Sequence, residues 1–123
     1  NIVQFIKRNK ANTTVVISGG AYINATGQES VVSGGGFNAA KGRLSVIIGG
    51  EYNTAGGDGS VVLGGAANKA SGAYSIAMGR NAHAKKDLSM VINLVTEKAT
   101  STKKGEFLVR SNVITFQIGT KKA

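Results

Sequence analysis

Ser30, Ser45, Ser60 and Ser75 recur every fifteen residues, and each heads the same phrase: a three-residue, mostly apolar run, one or two glycines, a polar corner and another glycine. In register the phrases read Ser30-Val31-Val32-Ser33-Gly34-Gly35, Ser45-Val46-Ile47-Ile48-Gly49-Gly50 and Ser60-Val61-Val62-Leu63-Gly64-Gly65. An earlier copy runs Val15-Val16-Ile17-Ser18-Gly19-Gly20, and a fifth, opening at Ser75, is one residue shorter because Ser89 follows after fourteen. A fixed period of this size in a glycine-rich chain specifies a solenoid, in which each repeat contacts its neighbours and buries what it could not bury alone.

The apolar runs are too short for a helical pattern and are rich in β-branched residues bounded by glycine, so they read as short strands. No helix is expected in 14–90. Glycines at two fixed places per coil suit corners that need positive φ. Asn38, Asn53 and Asn68 fall at a second corner, where asparagine tolerates the left-handed region. Stacked at the spacing of neighbouring strands, about 4.8 Å, they form an expected asparagine ladder along one edge. The expected fold is all-β: a parallel β-roll of about five 14–15-residue coils spanning residues 14–88, after a lead-in over 1–13 and before a C-terminal β cap over 89–123.

Alternate side chains of a strand face opposite ways. The second and fourth strand positions (Val46 and Ile48, Val61 and Leu63, Ile76 and Met78) are expected inside the coil. The third position is apolar as well: Ile17, Val32, Ile47, Val62 and Ala77. On that assignment the third column is a continuous apolar stripe on the outside, and such stripes mark association surfaces. A stack of like columns suits a symmetric homo-oligomer about an axis parallel to the solenoid. Small size points the same way, because a thin core of 123 residues with no cysteines, one histidine and six acids has neither disulfides nor a structural metal to draw on.

The net charge of +9 raises the question of nucleic acid. Residues 14–88 carry six basic and four acidic side chains, only +2 of that charge, while Lys7, Arg8 and Lys10 supply +3 and residues 89–123 supply +4. The basicity therefore sits at the ends as a solvated collar attracted to acidic glycans or a charged envelope. No strand alternates cations with aromatics as a stacking platform for bases requires. No 18-residue apolar run and no signal-peptide pattern is present. A chain beginning at Asn1 reads as a fragment of a longer protein.

After Ser89 the period breaks. Ser89 to Val95, Glu106 to Arg110 and Val113 to Gly119 read as longer strands that cap the open end of the solenoid. Ile2–Ile6 reads as a short strand over the first coil or as the end of a stalk. His83, between alanines and beside Lys85 and Lys86, reads as an exposed turn residue rather than a general base. The Gly-x-x-x-x-Gly-Lys-Ser/Thr phosphate loop is absent, and the recurring Gly-Gly pairs mark architecture rather than one site. Asn12-Thr13-Thr14 and Asn24-Ala25-Thr26 are formal glycosylation sequons.

The phrase Ser75-Ile76-Ala77-Met78-Gly79-Arg80-Asn81-Ala82-His83-Ala84 resembles the fourteen-residue head repeat of trimeric autotransporter adhesins, the YadA-like head family, and the fifteen-residue coils before it resemble longer variants in bacterial surface and viral fibre proteins. The resemblance covers about residues 14–90. It implies a left-handed parallel β-roll, three chains side by side, no enzymatic activity, no cofactor and no metal. It also implies an extracellular place on a bacterial cell surface or virion, with attachment to a host surface protein, matrix or acidic glycan. Lys41, Arg43, Glu51, Asp58, Lys69 and Arg80, which vary from coil to coil at the outward corners, are the candidate ligand contacts. A fibre spacer without a ligand is the alternative. A left-handed β-helix acyltransferase is disfavoured, because its coils use multiples of six residues, and an ice-binding face lacks its threonine ladder.

Overall fold

The computed structural model describes the backbone of residues 10–11 and all of 15–119. The expected Ile2–Ile6 strand, Lys7, Arg8 and the first sequon, Asn12-Thr13-Thr14, lie outside the described residues. Among the described residues fourteen strands follow in order: β1 (Lys10–Ala11), β2 (Val16–Ile17), β3 (Asn24–Ala25), β4 (Val31–Val32), β5 (Ala39–Ala40), β6 (Val46–Ile47) and β7 (Thr54–Ala55). Then come β8 (Val61–Ala66), β9 (Lys69–Ala70), β10 (Ile76–Arg80), β11 (Ala82–Ala84), β12 (Met90–Asn93), β13 (Ala99–Thr100) and β14 (Phe107–Arg110). Odd-numbered strands from β1 to β13 form one parallel sheet, and even-numbered strands from β2 to β14 form the other. The chain is an all-β solenoid of about six turns, each coil giving one short strand to each sheet.

The fifteen-residue frame is visible in the register, where Val31 pairs with Val46, Val46 with Val61, and Val61 with Ile76. The shortening to fourteen is absorbed at an irregularity between Ala77 and Gly79: Ala77 pairs with Val62 but Gly79 with Gly65. The solenoid does not stop at Ser89. Met90 pairs with Ile76 on one side and with Phe107 on the other, all parallel, so residues 89–110 form a further coil, lengthened by the 94–106 excursion. Val113–Gly119, expected as a strand, carries none, and residues 112–119 are exposed.

The interior is thin. Val32, Ile47, Val62, Ala77 and Val91 from the even sheet meet Ala25, Ala40, Ala55, Ala70 and Ala84 from the odd sheet, and all ten have no exposed surface. The expected orientation is therefore reversed. Val32, Ile47, Val62 and Ala77 point inward, Ile17 packs partly buried against them, and the second and fourth positions face out. The cause is volume: one β-branched residue opposite one alanine fills the coil, and two branched columns would not fit at interior packing density.

Asparagine completes the interior rather than an edge. Asn38, Asn53 and Asn68 are buried, and the positive φ expected of them belongs to the residue before, at Phe37, Tyr52 and Ala67. Asn53 Nδ2 donates to Gly49 O at 2.9 Å and to Gly65 O in the next coil at 3.0 Å, while its Oδ1 accepts from Asn68 N at 2.9 Å. Asn38 makes the same three bonds one coil earlier, to Gly34 O, Gly50 O and from Asn53 N. Each amide gives a partner to a carbonyl of its own coil and to the N–H of the next asparagine, groups that cost about 1–3 kcal/mol each when buried unpaired. It also adds a second donor to Gly50 O or Gly65 O, which also accept from Gly36 N and Glu51 N.

Two kinds of glycine result. At Gly50 φ is +85°, which strains any side chain. Gly42 has ordinary φ, but a Cβ there would fall inside contact with the Gly57 carbonyl oxygen of the next coil. Close approach, not backbone conformation, excludes side chains from the Gly27, Gly42, Gly57 and Gly72 column. Gly42→Ala is expected to cost about 3 kcal/mol or more in urea unfolding, since neither coil backbone can yield. Gly49→Ala, whose Cβ meets nothing within 4 Å, is expected to stay within about 0.5 kcal/mol of the parent. Equal losses in the two variants would contradict this packing.

Candidate functional surfaces and a cationic groove

Turning the third column inward places two other columns on the outer face of the even sheet. The first runs Val16, Val31, Val46, Val61, Ile76, Met90 and Phe107; the second runs Ser18, Ser33, Ile48, Leu63, Met78, Ile92 and Val109. From the third coil onward both columns are apolar. Ile48 is 49% exposed and Leu63 43%, so this face is not covered by the chain itself. Contiguous apolar surface of this kind marks an interaction face.

The six corner residues do not converge. Lys41, Arg43 and Asp58 lie along the corner that leads into the even sheet, Glu51 and Arg80 lie at the opposite corner, and Lys69 sits on the odd sheet; all six are exposed. Asp58 has local work, since its Oδ1 accepts from Arg43 N at 3.0 Å and ties one corner to the next. Asp87 repeats the device, accepting from Ala73 N at 2.9 Å.

A second ladder runs along the corner between the sheets. Tyr22, Phe37 and Tyr52 occupy the same left-handed position of successive coils, with φ between 53° and 58°. Their rings stack, with centroids 4.6 Å apart and planes at 3° for Tyr22 and Phe37, and 4.9 Å and 5° for Phe37 and Tyr52. Left-handed φ in such residues costs about 1–2 kcal/mol each. The ring stacking and the bonds Phe37 N to Ala21 O and Tyr52 N to Gly36 O offset part of it. The recurrence of aromatics at fifteen residues was the sequence signal for this ladder.

His83 is not in a turn. It lies at the centre of β11 between buried Ala82 and Ala84, paired with Lys69 on one side and Thr100 on the other, its ring on the outer face. With Ala67, Lys69, Asn81 and Lys98 it lines a groove of about 220 Å³. Asn81 Nδ2 donates to Thr96 O at 3.1 Å and holds the start of the long excursion that carries Lys98. Burial holds the imidazole pKa below its ordinary 6.5, and the charges of Lys98, Lys69 and Lys85 push it the same way. No acidic side chain lines the groove.

No family model, no curated protein and no solved structure matches the chain. Among the described residues no three His, Cys, Asp or Glu side chains gather as a metal site, and no helix is long and apolar enough to cross a membrane.

A pKa held down in the folded state means that the unfolded chain takes up the proton first on acidification. The stability associated with neutral His83 is complete above about pH 6.5 and is lost as pH falls from there to the folded-state value. Urea unfolding at pH 7, 6 and 5 is expected to show a shallower decline in His83→Gln than in the parent. A decline as steep in the variant would contradict the assignment.

Proposed function

We propose that this chain is the non-enzymatic head or fibre module of a trimeric attachment protein, displayed on a bacterial cell surface or a virion and meeting a host surface protein, matrix or acidic glycan. The observation that supports the reading is the uncovered apolar face of the even sheet. Its first column is apolar at every coil and its second from the third coil onward, so parallel copies in register about a common axis bury like against like along that face. A thin interior of valine and alanine gains most from such association. The similarity of Ser75–Ala84 to the adhesin head repeat supports three copies and a left-handed roll.

The scatter of Lys41, Arg43, Glu51, Asp58, Lys69 and Arg80 over different faces favours a second reading, a rigid fibre spacer that uses the same trimer and holds no ligand. The two readings share an assembly and part at binding.

Native mass spectrometry or sedimentation equilibrium at micromolar concentration is expected to give three times the chain mass. Ile48→Glu with Leu63→Glu is expected to give the chain mass while keeping the strand signature in circular dichroism. A monomeric parent would overturn the assembly. With the trimer in hand, binding to an immobilised matrix and glycan panel supports the head, and silence across the panel supports the spacer.

A further inference from the structure

The aromatic ladder ends abruptly, and the groove begins where it ends. Ala67 N donates to Glu51 O and Asn81 N to Ala66 O, the same bonds that place Phe37 and Tyr52, so Ala67 and Asn81 are the next two rungs of the ring column. Tyr52 is 58% exposed, the most open of the three rings, and its face remote from Phe37 looks toward a rung that carries only a methyl group. Ala67 lines the groove, with Lys69 and His83 on the adjoining sheet, Asn81 on the rung beyond and Lys98 from the 94–106 excursion. At about 220 Å³ the groove is smaller than the 300–1,000 Å³ or so of sites that hold drug-sized molecules. It has room for one ring-sized group.

Its chemistry is one-sided. Two ammonium groups and an imidazole share the groove with an amide, and no carboxylate balances them. Lys85 adds a third ammonium at the end of the same strand. A planar or ring-shaped group carrying negative charge satisfies both demands, an uncovered aromatic face and unbalanced cations.

We propose that this groove is an anion-binding subsite that seats one acidic sugar residue, its ring against the open face of Tyr52 above Ala67 and its carboxylate or sulfate between Lys69, His83 and Lys98. Protonation of His83 adds a third donor, so occupancy strengthens on acidification, with Lys69, Lys85 and Lys98 as the charged groups facing the imidazole. The proposal gives the attachment reading its ligand class and rests on that reading for its biological role, while the site itself is a property of the groove.

His83 is the only histidine, so its ring resonances report the groove without ambiguity. The experiment is an NMR titration of the His83 imidazole from pH 8 to 5, at constant ionic strength, in chloride, sulfate, glucuronate and chloride with added glucose. An opposite charge near a titrating group moves its pKa by about 1–3. The His83 pKa is expected to rise by about 1 in sulfate and in glucuronate over chloride, with no change from glucose. Tyr52 ring signals are expected to move with glucuronate and not with sulfate. Sulfate responding alone would select a sulfated sugar, and glucuronate alone a carboxylated one. In Lys69→Gln and Lys98→Gln the His83 pKa is expected to start higher and to respond less. Identical titrations of the parent in all four solutions would overturn the site. A responsive His83 with a silent glycan panel would keep the anion site and remove the attachment reading; a silent His83 with panel binding would do the reverse.

Discussion

The amide of Asn53 bonds to a carbonyl of its own coil, a carbonyl of the next coil and the backbone N–H of the next asparagine. Every coil must turn two corners around an interior only a few side chains across, and corner groups turned inward meet no water. In three successive coils Asn38, Asn53 and Asn68 answer this from inside, each supplying two donors and an acceptor on one short side chain. Because two of the three bonds of each reach the following coil, they also fix the stacking distance. The glycine column at Gly42 and Gly57 sets the same distance from the other corner, by backbone contact too close for any Cβ.

The outer surface inherits its pattern from that interior. With stacking held constant, residues at equal places in successive coils must lie one above another, so any repeated side chain becomes a column. Valine and isoleucine become an apolar face, aromatics become a stacked ladder, and an interrupted ladder becomes a groove. The groove falls near the shortened coil, where the irregularity at Ala77–Gly79 moves one corner by a residue, and beside the lengthened one, whose excursion brings Lys98 over the odd sheet. Departures from the repeat are what make one place on a repetitive surface different from the rest.

The period, the even-sheet strands of the repeat and the absence of helix among the described residues of 14–90 were legible because they depend on local pattern, whereas the two-residue strands of the odd sheet, such as Ala39–Ala40, lie in what reads as a corner. The inside and outside of the even sheet were not, for a physical reason. Val46, Ile47 and Ile48 are all apolar, and alternation in so short a strand can be taken in either phase. The deciding information is the volume opposite, Ala40 and Ala55, which lies in a separate part of the repeat. Asn53 was legible as a corner residue but not as a buried one, since the same amide suits either place. The coil over 89–110 escaped notice because seventeen residues separate Met90 from Phe107, which breaks the period without breaking the stack. His83 and Lys98 are far apart in sequence and unrepeated, so nothing in the frame joins them.

The direction in which the middle of each strand points underlies both the interior and the association face, and the chain contains no cysteine to interfere with testing it. Single cysteines at Ile47 and at Ile48, followed for thiol reaction and for disulfide pairing between copies, read that direction directly. Cys in place of Ile48 should react promptly in dilute chain or cross-link copies when concentrated, and Cys in place of Ile47 should do neither until the chain is unfolded in urea. A reactive or cross-linking cysteine at position 47, with position 48 protected in dilute chain, would contradict the account.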